Sequence, residues 1–175
     1  VDAAYYNKLN NDLSLPLFNN ATQAQKAPGS TFKPIIAVAA LEEKAVGLTE
    51  TITCTGQYGE ITPHLRCWIY PGQHGPLDVE HGIMNSCNVF FAEMGHRLSM
   101  DENGSYTPEL GIEKIRKYAA MFGLDETSGI EISEKPPQMT TEKPEASSIG
   151  QGNNSYSNVQ LARYITAIAN KGNVY

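Results

Sequence analysis

The sequence has no run of about 18 apolar residues, the length that a membrane-crossing helix needs. Its longest apolar stretch, Pro34 to Leu41, is too short and too rich in alanine to serve. Positive charge is scarce: 13 Lys and Arg face 19 Asp and Glu, for a net charge of −6 over 175 residues. The clustered basic face of a nucleic-acid binder is therefore excluded. Tryptophan occurs once, as Trp68, and cysteine three times, as Cys54, Cys67 and Cys87. Neither a Cys-x-x-Cys nor a His-x-x-x-His pair occurs among these cysteines and His64, His74, His81 and His96, so the tight ligand spacing of most zinc modules is missing. The expectation is no metal site and no cofactor.

The ends lack features too. Val1 is not an initiator methionine, no charged-then-apolar leader follows it, and no tail extends beyond Tyr175. Both ends read as cut from something longer. The balance of 41% hydrophobic and 18% charged residues is that of a folded globular chain, and the length suits one domain over residues 1–175. Cys54 and Cys67 could close a loop in an oxidising compartment, leaving Cys87 unpaired; three free thiols is the other reading.

What is present is mostly helical pattern. Residues 1–27 read as turns with a short helix. A helix starts near Ser30, after the Pro28-Gly29 turn, and runs through Ile35, Ile36, Ala39 and Leu41, with Gly47 placed to end it. From Leu48 to Pro76 the sequence predicts loop with short strands at most, around Thr51-Ile52-Thr53 and Ile61-Thr62. Asp78 is an N-cap for a short helix through Met84, and a second helix covers Val89 to Leu98. Thr107-Pro108-Glu109 opens a helix that carries Ile112, Ile115, Tyr118, Ala119 and Phe122 and stops at Gly123. Ser157 and Gln160 form a capping-box pattern for the last helix, which places Leu161, Ile165 and Ile168 on one face and ends at Gly172. The segment from Leu124 to Tyr156 is polar and broken by Pro136, Pro137 and Pro144, unusually long for a structureless connection.

Two short strings carry chemistry. In Ser30-Thr31-Phe32-Lys33 the serine and lysine are three apart, one helical turn, so the amine can approach the hydroxyl. A serine hydroxyl attacks only when a base takes its proton. For lysine to be that base its pKa must fall from ~10.4 by about three units, worth roughly 4 kcal/mol, through burial or a neighbouring cation. A helix start at Ser30 also directs its own amide and the positive end of the dipole at a developing oxyanion. Alone, Ser-x-x-Lys occurs about once by chance in a chain of this size. The second string, Ser86-Cys87-Asn88, lies at a junction between two helices, where a hydroxyl and a carboxamide can enter one cleft. Trp68 either lines a substrate groove or anchors the core rim.

Ala27-Pro28-Gly29-Ser30-Thr31-Phe32-Lys33-Pro34, followed by Ser86-x-Asn88, resembles the active-site signature of penicillin-binding proteins. The Pro16–Gln23 approach and Ile149-Gly150-Gln151-Gly152 are also similar to this family, and Cys67-Trp68, His74-Gly75 and Asn85 to Phe91 resemble its monofunctional class B enzymes of the cell-elongation type. The resemblance implies a mainly α chain: the helical lobe of the α+β penicillin-binding-protein/serine β-lactamase-like transpeptidase fold, with most of the central sheet absent. It implies a peptidoglycan D,D-transpeptidase in which Ser30 is acylated by D-Ala-D-Ala stem peptides or β-lactams, Lys33 is the base, Ser86 relays the proton and Asn88 binds the substrate amide; Trp68 stays a candidate substrate-binding residue on its own chemistry. It also implies partners in a cell elongation or division complex, and a membrane anchor that holds the domain outside the cytoplasm. One departure is plain: no Lys-Thr-Gly or Lys-Ser-Gly occurs. In the family that strand supplies the second oxyanion donor, and losing such a donor costs about 10²–10³ in rate. The expectation is a chain that is by itself a poor or dead catalyst. A β-lactam sensor domain, a bifunctional enzyme's transpeptidase half and a class D-like β-lactamase are the rival readings.

Overall fold

The computed structural model describes residues 2–59 and 62–174. In chain order it holds α1 (Ala3–Asn10), β1 (Gln25–Lys26), a 3-10 turn (Gly29–Phe32) that runs directly into α2 (Lys33–Glu42), then β2 (Ile52–Cys54), β3 (Gln57–Tyr58), β4 (Leu65–Arg66) and β5 (Gly75–Leu77). Next come α3 (Val79–Met84), α4 (Asn88–Leu98), α5 (Pro108–Met121), α6 (Pro144–Ser148), β6 (Tyr156–Ser157) and α7 (Asn158–Ala169). Among the described residues the strands pair in antiparallel twos, β1 with β6, β2 with β5 and β3 with β4. The architecture is mainly α.

The core is where α2, α4 and α5 meet. Ile35, Ile36, Ala39 and Ala40 from the first, with Phe32 of the 3-10 turn before it, Phe90, Phe91, Met94 and Leu98 from the second and Ile115 from the third are all fully buried. The small residues of α2 let α4 approach closely, and the aromatic pair on α4, Phe90 against Phe91 edge-to-face at 5.3 Å, fills the space. The helix α4 also touches α6 and the strands β2, β3 and β4, so it is the element that the others are built around.

Helix ends follow the chemistry of their caps. Asp78 accepts the His81 N–H at the start of α3 (2.9 Å), and at α7 Ser157 and Gln160 form the reciprocal capping box. Thr107 precedes α5 as expected, but its side chain makes no cap; its N–H instead donates to Ser99 O at 2.7 Å, tying the helix start to the end of α4. The helix α2 ends at Glu42, well before Gly47, because Lys44 takes a left-handed conformation (φ 57°) and Ala45 N–H returns to Ala40 O at 2.8 Å. The buried stripe of α7 is Gln160, Tyr164 and Ala167, while Ile165 and Ile168 are each 44% exposed. Of the expected Ile61-Thr62 strand, Ile61 lies outside the described residues and Thr62 is not in a strand.

The long polar segment is neither structureless nor remote. Gln138 and Ser155 exchange N–H···O bonds of 2.8 Å in both directions, Lys135 N–H reaches Thr22 O, and α6 packs against α4. Sequence reading missed α6 because it has five residues and almost no apolar side chains; Glu145, Ser147 and Ser148 are nevertheless buried. Glu145 accepts from Tyr106 Oη (2.8 Å) and lies 3.4 Å from His96 Nδ1, while His96 stacks on Tyr106. The helices α4 and α6 approach at Gly95, where an added Cβ would stand 2.5 Å from both Pro144 O and Ser148 Oγ. Gly95→Ala is expected to lower the unfolding free energy by about 1–3 kcal/mol through overpacking, read from the midpoint of a urea denaturation curve.

Candidate active site

The nucleophile candidate sits on a turn set by two glycines and two aromatic props. Gly29, in the left-handed region at φ 57°, lets the chain enter the 3-10 turn, and its N–H donates to Gly150 O at 2.9 Å. Gly150 is itself left-handed (φ 74°), and a Cβ there would stand 1.9 Å from Gly29 O, so only glycine fits. From below, Tyr164 Oη donates to Thr31 O at 2.6 Å, and Phe32 stacks on Tyr156 at 6.2 Å. In a 3-10 turn residues three apart eclipse, which puts Ser30 and Lys33 on the same side of the chain. Ser30 is exposed; Lys33 is 1% exposed.

A buried lysine needs partners for every N–H. Lys33 Nζ has three, all from one segment: Ser86 O at 2.7 Å, Ser86 Oγ at 3.1 Å and Asn88 Oδ1 at 2.8 Å. The Phe91 ring lies 5.6 Å away on another side. Asn88 is oriented by its other end, where Nδ2 donates to Arg66 O at 3.1 Å. Ser86 can present carbonyl and hydroxyl together because its backbone is left-handed (φ 48°), and Asn85 Nδ2 locks the preceding turn by donating to His81 O. Burial pulls the Lys33 pKa down to about 8, although three oxygen acceptors favour its charged form. Desolvation alone supplies the downward pull; the cation that sequence reasoning allowed as a second cause does not figure among the influences on Lys33. Among the described residues no hydrogen bond joins Lys33 to Ser30; the lysine's protons are committed to Ser86 and Asn88.

Trp68 is 65% exposed and lies edge-on to His74 at 5.3 Å, with Nε1 donating to Asn85 O at 2.9 Å. It is an open-faced anchor beside the Ser86–Asn88 step and not a core residue.

Immediately behind that step lies a cluster that residue spacing did not reveal. Cys54, Cys67, His74 and Cys87 bring one ligand atom each within 4.8 Å of one another. Cys67 Sγ is 3.6 Å from His74 Nδ1 and 3.9 Å from Cys87 Sγ. All three cysteines are buried and reduced, so the Cys54–Cys67 bridge does not form and Cys87 is not set apart. Burial opposes ionisation of Cys67, but the N–H groups of Asn88, Ile69 and Val89 together hold its pKa below the ordinary thiol value; burial pushes Cys87 up. Four ligands on a zinc ion with Zn–S near ~2.3 Å would stand about 3.8 Å apart, close to the separations seen. The donor set of three sulfurs and one imidazole is that of a closed structural zinc site. The four ligands come from β2, the turn after β4, the approach to β5 and the N-cap of α4, which is why no tight pair marks them.

With this geometry in hand, comparison with known proteins is decisive: residues 2–175 match the family described as "Penicillin binding protein transpeptidase domain". The chain belongs to this family. It is 30% identical over 191 residues to "Peptidoglycan D,D-transpeptidase MrdA" of Haemophilus influenzae, covering 99% of this chain and 27% of that protein. It is 31% identical over 183 residues to "Stage V sporulation protein D" of Bacillus subtilis, covering 100% of this chain and 25% of that protein. A solved structure described as "Structural coordination of polymerization and crosslinking by a peptidoglycan synthase complex" superposes with a TM-score of 0.83 at 26% identity, covering 97% of this chain and 29% of that one. The chain thus spans about a quarter of the length of the curated relatives it matches.

The fold is that of the helical lobe of the penicillin-binding-protein transpeptidase domain. For the cysteine–histidine cluster, one equivalent of zinc is expected to bind the reduced protein, and His74→Ala is expected to weaken that binding at least tenfold, both read by competition with a chromogenic chelator.

Proposed function

We propose that the protein forms an acyl-enzyme through Ser30 as part of a serine D,D-transpeptidase acting on D-Ala-D-Ala peptidoglycan stem peptides, and that β-lactams acylate the same hydroxyl. The observation that carries this reading is the burial of Lys33 against Ser86 and Asn88 while Ser30, on the same turn, stays open to a substrate. The family to which the chain belongs supports the reaction class.

In the proposed cycle Lys33 loses one proton to become the base. Ser30 Oγ attacks the carbonyl of the penultimate D-Ala as its own proton passes to the Lys33 amine, and the tetrahedral oxyanion meets the Ser30 amide at the helix start. The leaving D-Ala amine takes its proton through Ser86 Oγ, which already touches Lys33 Nζ. Asn88 has a double duty in this cycle: its Oδ1 holds the lysine while its Nδ2 donates to Arg66 O, and on substrate entry the carboxamide binds the acyl substrate's backbone. An amine from a neighbouring stem peptide then takes the acyl group from Ser30, and Lys33 acts again as base. Trp68 offers its exposed face to the substrate beside this step. The domain is proposed to work outside the cytoplasmic membrane, anchored to it, with cell elongation or division proteins as partners.

At pH 7 a lysine with a pKa of about 8 is neutral in about one molecule in ten. Because the neutral form is the base, Ser30 acylation by a fluorescent penicillin, slow in this chain because it lacks the Lys-Thr-Gly strand, is expected to rise with pH, nearly tenfold per unit well below 8, and to level off above it. Stopped-time labelling across pH 6–10 measures the profile; a rate flat through this range contradicts the role of Lys33. Ser30→Ala is expected to abolish labelling, and Lys33→Arg, which keeps a cation but has no accessible neutral form, to slow it by about 10²-fold or more. Labelling that survives in Ser30→Ala overturns the assignment.

A further inference from the structure

Cys87 is the middle residue of the Ser86–Asn88 step, and its flanking residues supply every oxygen that holds Lys33. Its sulfur faces Cys67 Sγ at 3.9 Å, with both thiols reduced. A disulfide has an S–S length of about 2.05 Å, so joining these two draws the sulfurs together by about 2 Å. Neither end yields freely. The Cys67 backbone is fixed by its N–H to Gly56 O (2.8 Å) and by Tyr70 N–H to its carbonyl (3.1 Å). Cys87 Sγ accepts the Phe90 N–H at the start of α4 (3.4 Å), and Cys87 N–H is bound to Gly82 O (3.0 Å). The two segments are already laced across the gap by Trp68 Nε1 to Asn85 O and Asn88 Nδ2 to Arg66 O. Closing the gap therefore shifts the lacing, and with it the residues on either side of Cys87.

We propose that Cys67 and Cys87 form a reversible oxidation site, in which a peroxide converts the facing thiols to a disulfide that draws the Ser86–Asn88 step off Lys33 and silences Ser30. The last part rests on the reading of Ser30 given above; the chemistry of the thiols does not. Cys67 sulfur attacks one peroxide oxygen, the O–O bond breaks, and one water leaves as Cys67 becomes a sulfenic acid. Cys87 sulfur then attacks the Cys67 sulfur and a second water leaves. In total two thiols lose two protons and two electrons, and one hydrogen peroxide is reduced to two waters. A dithiol reductant reverses the process by exchange. Cys67 is the sulfur an oxidant meets first, since it is next in sequence to the exposed Trp68 and beside half-buried His74, whereas Cys54 and Cys87 are fully buried. A zinc ion on the same sulfurs would block the reaction, so the cluster has two mutually exclusive states.

The test treats the purified protein, metal-free, with hydrogen peroxide, and reads three things: disulfide mapping of proteolytic peptides by mass, emission of the single tryptophan, and labelling by a fluorescent penicillin. The expected result is a Cys67–Cys87 peptide pair two hydrogen atoms lighter, a shifted Trp68 emission and labelling reduced by about 10²-fold, the scale of loss from an ångström-sized misplacement. Dithiothreitol restores all three, zinc loaded beforehand prevents them, and Cys67→Ser, compared with its own untreated form, does not respond. A bridge that involves Cys54 instead, an oxidised thiol with no bridge, or a Cys67–Cys87 bridge that leaves emission and labelling unchanged overturns the proposal. If the reduced protein, which lacks a Lys-Thr-Gly strand, is not labelled at all, peptide mapping and Trp68 emission alone decide whether the bridge forms and moves the step.

Discussion

A single buried ammonium organises this structure. Lys33 lies at the start of α2 with 1% exposure, and an ammonium in such a place must find an oxygen for each proton or lose its charge. All of its oxygens come from Ser86 and Asn88, more than fifty residues away. Burying the amine, lowering its pKa to about 8 and docking the junction between α3 and α4 against α2 are therefore one event seen from three sides.

The rest of the lobe serves to make that event repeatable. The aromatic residues of α4 fill the space beside the alanine-rich face of α2, and α6 closes over the far side of α4 with Gly95 at the contact. The nucleophile turn is held from another direction, by Gly150 at its start and by Tyr156 and Tyr164 beneath it. The cluster of Cys54, Cys67, His74 and Cys87 stiffens the back of the Ser86–Asn88 step, at a place where the strands are too short to do so.

The helices α3, α4, α5 and α7 could be read from the residues in order, since cap patterns and periodicity are local properties, although Thr107 makes no cap on α5 and α7 buries Gln160, Tyr164 and Ala167 instead of its isoleucines. So could the placement of Ser30 and Lys33 on one turn, although among the described residues Lys33 bonds Ser86 and Asn88 and not Ser30. The end of α2 could not, because Lys44 rather than a glycine takes the left-handed position, at a strain that a lysine rarely accepts. The helix α6 was invisible because its burial is achieved by serines and a glutamate with long-range partners, which carry no hydrophobic signal. The thiol cluster was hidden for a related reason: its ligands lie on four separate segments, and only the folded chain sets them side by side. Cys87 looked like a spacer between two functional residues; its sulfur points the opposite way from theirs in purpose, toward Cys67 and not toward Lys33.

The contact between Tyr164 and Thr31 spans 133 residues of chain, and the Gly29–Gly150 bond is nearly as long in reach. Ordering a loop of that size is entropically late work, whereas α2, α3 and α4 can collapse on contacts much nearer in sequence. The turn that presents the Ser30 hydroxyl therefore has the largest loops in the lobe to close, and its supports exist only where residues near the two extremities of the lobe meet.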